Sequence, residues 1–236
     1  MFNLEQLIEI DKYLLLALNG SDSLFWDGCF TVYTTTIVWI PLAIMLLYVL
    51  IKNNNINTFL VLAVVIAMVF VLTDGITSTI CKPFFERFRP TQDPDLMYNV
   101  DIVNGYRGGR YGFISSHAAN TFAVAIFVSL LIKDKILSFI LLIWALLNSY
   151  SRIYLGVHYC GDILFGIIDG CLVGLGIYVL YRMVRKRYFG FNCYVSNKYT
   201  KGCYLKSDVH LLQAAFILTC IIIVLWGMMC ASILYL

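Results

Sequence analysis

The sequence predicts an all-α fold, a six-transmembrane helix bundle with a short N-terminal interfacial amphipathic helix, on three observations. The 236 residues are 61% hydrophobic and only 13% charged, with a mean hydropathy of +0.82, whereas soluble domains average ~25% charged residues. The apolar runs have the ~20-residue length of a membrane helix and lack the alternation of a ~10-residue barrel strand. The polar residues gather in two long loops, Lys82 to Arg110 and Arg182 to His210, which alternate in topology. A net charge of +3 and eight cysteines in 236 residues exclude a disordered chain, a nucleic-acid binder and a small disulfide scaffold.

Taken in order, the first element is a helix on which Leu4, Leu7, Ile8, Leu15 and Leu18 recur at helical spacing. Asn3 with Gln6 forms a capping box before it, and Asn19-Gly20 stops it. It lies either in the membrane interface or against the bundle. Its start lacks the basic region of a signal peptide, so it is expected to be retained. Six spans follow, near residues 28–51, 56–81, 114–132, 136–155, 161–182 and 211–235. No repeat or linker divides them, so residues 1–236 read as one domain.

With six spans, both termini, the loop after the second helix and the loop after the fourth share one face. That face holds seven of the 17 basic residues and the other holds ten, so the second face is assigned to the cytoplasm. The expected location is a bacterial inner membrane with both termini outside. The cysteines show no metal spacing and read as unpaired thiols, and a Cys193–Cys203 bridge is disfavoured on a reducing side.

Ionisable residues at membrane level are costly and therefore informative. Lys82, Arg89, Ser115, Ser116, His117, Arg152, His158 and Asp162 all fall on the outer face of this topology. Three cations converging with hydroxyls and the N–H groups of a helix start make a site for a multiply charged oxyanion such as phosphate. His158 and Asp162 are four residues apart, so the carboxylate can hold one ring nitrogen and leave the other as a nucleophile. His117, beside the phosphate cradle, suits a general acid. Asp169 shares the stripe of Asp162 and either sits beneath the site or is structural. Asp74 lies off the face of Lys82 and reads as structural. Arg107 and Arg110 sit in a Gly-rich stretch that is read as a solvated loop, the other reading being contact with a second phosphate or an anionic headgroup. Arg185-Lys186-Arg187 reads as an anchor to anionic lipid.

Lys82, Arg89 and Pro90 fit the motif K-x6-R-P, and Ser151 to Asp162 fits S-R-x5-H-x3-D. In these the chain resembles the type 2 phosphatidic acid phosphatase (PAP2) superfamily of integral-membrane lipid phosphatases. A further motif, usually P-S-G-H, matches partly, as Ile114-Ser115-Ser116-His117. The resemblance implies catalysis by a phosphohistidine on His158, oriented by Asp162, with His117 as acid and Lys82, Arg89, Ser115, Ser116 and Arg152 binding phosphate. It implies no metal and no cofactor. The expected substrate is a lipid phosphate or diphosphate of the bacterial envelope, undecaprenyl diphosphate or a lipid A phosphate, met at the extracytoplasmic face. The alternatives are phosphatidylglycerol phosphate or phosphatidic acid, a catalytically silent lipid-binding or transport protein, and a vanadate-dependent haloperoxidase, against which the six spans argue. No nucleic acid and no obligate protein partner are expected.

Overall fold

The apolar runs fold as helices in a computed structural model that describes residues 3–189 and 196–234. In chain order these are α1 (Leu4–Leu18), α2 (Leu24–Tyr33), α3 (Ile40–Lys52), α4 (Ile56–Asp74), α5 (Lys82–Phe85), α6 (Ser116–Ile132), α7 (Lys135–Tyr154), α8 (Cys160–Tyr188) and α9 (Lys206–Leu234). Among the described residues there is no β-strand; Phe88 with Tyr111 and Tyr199 with Leu205 form isolated bridges.

Among the described residues, four helices are long and apolar enough to cross a bilayer: Ile56–Phe85, Lys135–Tyr154, Cys160–Tyr188 and Lys206–Ala231. The span expected near 28–51 is not straight. It divides into α2 and a second piece, Thr36–Lys52, bent by 64°. The cause is local: the Thr34 and Thr35 hydroxyls donate to the carbonyls of Thr31 and Val32, competing with the helix ladder. Pro41 then starts α3, where its missing N–H costs nothing. The expected third span is α6, whose 17 residues stand at the lower limit for crossing.

Two other boundaries move. The second span continues through a π-helical stretch, Gly75–Cys81, into α5, so Lys82 stands on a helix. α8 runs to Tyr188, which places Arg185, Lys186 and Arg187 in its last turn, where cations complement the helix dipole.

α1 carries the expected capping box between Asn3 and Gln6. Leu15 is fully buried while Leu4, Leu7, Ile8 and Leu18 are exposed. Its polar face is not idle, because Asp11 reaches the site described below.

α6 lies at the centre, packed against α7, α4 and, most extensively, α8. The reason is a stripe of glycines. A Cβ on Gly166, Gly170 or Gly174 would meet a carbonyl oxygen of α6 or its cap at 2.7, 2.3 or 2.6 Å. Small residues four apart let membrane helices approach to backbone contact. At the end away from the site, buried Asp208 accepts from Lys52 at 2.8 Å and from Asn53 at 3.0 Å, tying α9 to α3. Cys203, in the loop before α9, is disulfide-bonded, which corrects the expectation of an unpaired thiol drawn from cysteine spacing. Cys193 lies outside the described residues.

Candidate active site

The loop from Glu86 to Ser115 folds over the ends of α5, α6 and α8 and carries most of the site. Its first strand-like stretch runs beside its last: Arg89 N–H donates to the Arg110 carbonyl and Gly112 N–H to the Arg87 carbonyl. In extended backbone, side chains two apart share a side. Arg87 and Arg89 therefore both point at the α7–α8 junction.

His158 sits in that junction and is 1% exposed. Its Nδ1 lies 3.3 Å from Asp162 Oδ2, and its Nε2 lies 3.1 Å from Arg89 Nη1. The carboxylate favours a proton on Nδ1, which leaves the Nε2 lone pair to meet the guanidinium. Burial first, and then the charges of Arg89, Lys82 and Arg152, push His158 well below the ordinary histidine range, so the ring is neutral at pH 7. Gly112 must be a glycine here. A Cβ would come within 3.1 Å of both Arg89 and Asp162 and 3.5 Å of His158.

Asp162 is fully buried in the first turn of α8. Besides His158 it accepts from the Tyr159 N–H at 3.1 Å and from Arg87 Nη1 at 2.8 Å. Arg87 also donates to Asp11 of α1 at 2.7 Å and stacks over the Tyr159 ring at 4.0 Å. Asp11 in turn accepts from Gly161 N–H at 2.8 Å. Sequence reading passed over Arg87 and Asp11. The i, i+2 relation of Arg87 to Arg89 was a signal for the first; nothing in the chain pointed to the second.

The remaining residues form two groups around the start of α6. Lys82 Nζ donates to Ser116 Oγ at 2.8 Å and to Ser78 Oγ at 3.1 Å, and Thr77 Oγ1 lies 2.8 Å from Ser116 Oγ. Ser115 behaves differently from expectation: it is fully buried and its hydroxyl caps α6, accepting from Ala118 N–H. Its own N–H donates to the Asp162 carbonyl at 3.1 Å. The cap leaves the Ser116 and His117 N–H groups, at a positive helix end, as the donors open to an anion.

Arg152 is 3% exposed. Its Nε has no partner, and the Tyr106 hydroxyl interacts with the guanidinium. A buried cation with an unmet donor calls for an anion. With His117, Tyr106, Thr34 and Thr35 it lines a cavity of about 390 Å³, so the break between α2 and α3 opens toward the site. Burial first, and then the charges of Arg152, His158, Arg89 and Lys82, act on His117.

Arg107 and Arg110 are structural in this geometry. Arg107 exchanges hydrogen bonds with Thr91, and Arg110 stacks at 5.3 Å over Phe88 and Tyr111. Asp169 keeps one buried oxygen without a partner. Among the described residues no three His, Cys, Asp or Glu side chains gather as a metal site would require.

Residues 59–187 match the PAP2 superfamily, a stretch that contains every motif residue from Lys82 to Asp162. Two relatives are named lipid A 4'-phosphatase. That of Bacteroides thetaiotaomicron is 40% identical over 187 residues, which is 78% of this chain and 80% of the relative. That of Porphyromonas gingivalis is 35% identical over 190 residues, 80% of each. No solved structure gives a significant match. The chain therefore belongs to the PAP2 superfamily and is a membrane phosphatase of lipid phosphates.

Proposed function

We propose that the substrate is a phosphate monoester on a lipid A-type glucosamine lipid and that the chain removes it through a phosphohistidine on His158. The names of the two relatives support the substrate, and the hydrogen bonding of His158 carries the mechanism: Nδ1 on Asp162 and an Nε2 lone pair that meets Arg89. When phosphate enters, Arg89 turns from the ring to a phosphate oxygen, joined by Lys82, Arg152, Ser116 and the N–H groups at the start of α6. Nε2 attacks phosphorus, the bond from phosphorus to the sugar oxygen breaks, and His117 gives that oxygen its proton. Ser115 contributes through its backbone and its cap. Water activated by His117 then attacks phosphorus, releasing inorganic phosphate and restoring His158. Each donor aimed at the transition state contributes ~3 kcal/mol in such sites.

The finer placement follows the same reading. The bent pair α2–α3 and the short α6 each count as a span, giving six, and residues 1–236 form one domain. α1 lies in the interface. The site faces the periplasm from a bacterial inner membrane, with both termini on that side. Purified protein incubated with lipid A carrying a labelled 4'-phosphate should retain label in acid-labile, base-stable form, and His158→Ala should retain none. Label on the His158→Ala protein would sink the mechanism; absence of phosphate release from lipid A by wild type would sink the substrate. A cysteine placed between Asp93 and Asp101 should react with an impermeant thiol reagent in spheroplasts, and reaction only after lysis would reverse the orientation.

A further inference from the structure

The polar contacts between α4 and α6 continue below the site into the membrane. Ser116 and Asn120 are one turn apart on α6, and Asp74, Ser78 and Lys82 succeed one another at intervals of four on the facing chain. Lys82 and Ser78 meet Ser116 at 2.8 and 3.1 Å. One step deeper, Asn120 Nδ2 donates to Asp74 Oδ1 at 3.2 Å, and Asn120 Oδ1 accepts from the Thr73 hydroxyl. In an unbroken α-helix, residues eight apart diverge by about 80°, which is why the sequence placed Asp74 off the face of Lys82. The π-helical stretch Gly75–Cys81, with its wider i→i+5 turn, removes that drift, and the Asp74 charge acts on Lys82.

Asp74 is exposed, yet its exposed neighbours Phe70, Val71, Leu72 and Ile80 are apolar, the kind of surface that faces acyl chains. A carboxylate at this level is costly and marks a functional position. Oδ1 is held by Asn120, and Oδ2 has no partner among the described residues. Asn120 lies about 6 Å along α6 below Ser116, the depth at which a lipid's headgroup gives way to its chains once its phosphate occupies the Lys82–Ser116 level.

We propose that Asp74, oriented by Asn120, is a specificity subsite that accepts a hydrogen bond from a hydroxyl or amide N–H of the lipid just below the phosphate. The inference rests on the phosphatase reading above and deepens it. The partnerless Asp74 oxygen is offered as an acceptor, so the group it recognises is a donor. An N-acylated amino-sugar phosphate carries amide N–H and hydroxyl donors beside its phosphate-bearing ring. Phosphatidic acid and polyprenyl phosphates carry no donor outside the phosphate, and against them Asp74 Oδ2 gains no hydrogen bond, so the contact favours the lipid that has one.

The test is the ratio of kcat/KM for lipid A to kcat/KM for phosphatidic acid, measured in detergent on wild type and Asp74→Ala. The ratio should fall ~10- to 100-fold in the variant, the scale of a hydrogen bond to a charged group. An unchanged ratio, including an equal loss on both lipids, overturns the proposal. Where Asp74→Ala does not fold, Asp74→Asn keeps an acceptor for Asn120 and removes the charge; it should lower the same ratio by a smaller factor, and an unchanged ratio there overturns the proposal equally. Wild type that releases phosphate from neither lipid would overturn the phosphatase reading itself, a result distinct from activity with an unaltered ratio.

Discussion

Asp162 and Asp208 are built alike and sit at opposite ends of the bundle. Each is buried in the first turn of a long helix, where a carboxylate is favoured, and each meets a cation at 2.8 Å, Arg87 for Asp162 and Lys52 for Asp208. They differ in what else they hold. Asp208 finishes on the side-chain amide of Asn53, which has no further chemistry to offer and whose oxygen accepts from Leu205 N–H at 2.7 Å. Asp162 finishes on an imidazole whose second nitrogen faces Arg89. A buried carboxylate paired with a cation at a helix start is a staple at Asp208; at Asp162, on the mechanism proposed above, it also serves catalysis, because one of its lone pairs is spent on the imidazole.

Breaking the comparison at its sharpest point means removing that group. His158→Ala should lower phosphate release by ~1,000-fold or more, while Asp208→Asn should leave kcat nearly intact and lower the melting temperature in detergent. Comparable losses of turnover at the two ends would erase the distinction. Asp162→Asn keeps the shape of the site and loses tautomer control, so kcat should fall ~1,000-fold with little change in KM; an effect confined to KM would show that Asp162 works only on binding.

Removing the cations probes the shared half of the design. Arg87→Ala leaves two carboxylates, Asp11 and Asp162, without their partner. Breaking a buried pair costs ~3–5 kcal/mol, and because Arg87 is a quarter exposed about 2 kcal/mol is expected. Turnover should fall with stability, whereas Lys52→Ala should lower the melting temperature alone. The smallest effect is in pH. The folded protein keeps His158 neutral, while the unfolded chain takes up a proton below about pH 6.5. The stability tied to this ring is full above that pH and erodes as pH falls. The drop in melting temperature from pH 7 to pH 5 should therefore be smaller in His158→Gln than in wild type.

The residues proposed to face the anion stood out in the sequence because the chemistry proposed for them constrains spacing. Lys82, Arg89, Arg152, His158 and Asp162 could be placed on one face from charge and helical period alone. Their support was not. Arg87 looked like one more loop cation, since its role depends on the extended pairing of residues near 88 with those near 111. Asp11 depends on the docking of α1, which no local pattern records. Ser115 carries the right atoms but spends its hydroxyl on a cap. The helices were read from apolar length, and that signal is blind to bends: the hydroxyls of Thr34 and Thr35 divided one run before Pro41, and a π turn extended another past Cys81. Lateral register across that turn is what hid Asp74.

The glycine stripe on α8 has a consequence for tolerance. Because α6 and α8 touch backbone to backbone, a single methyl at Gly170 has to displace a carbonyl that stands 2.3 Å away, and the displacement passes rigidly along both helices. About 12 Å up the seam, the same two helices are joined by the bond from Ser115 N–H to the Asp162 carbonyl. The dimension this enzyme can least afford to vary is thus gauged within the α6–α8 seam, by residues with no side chain at all.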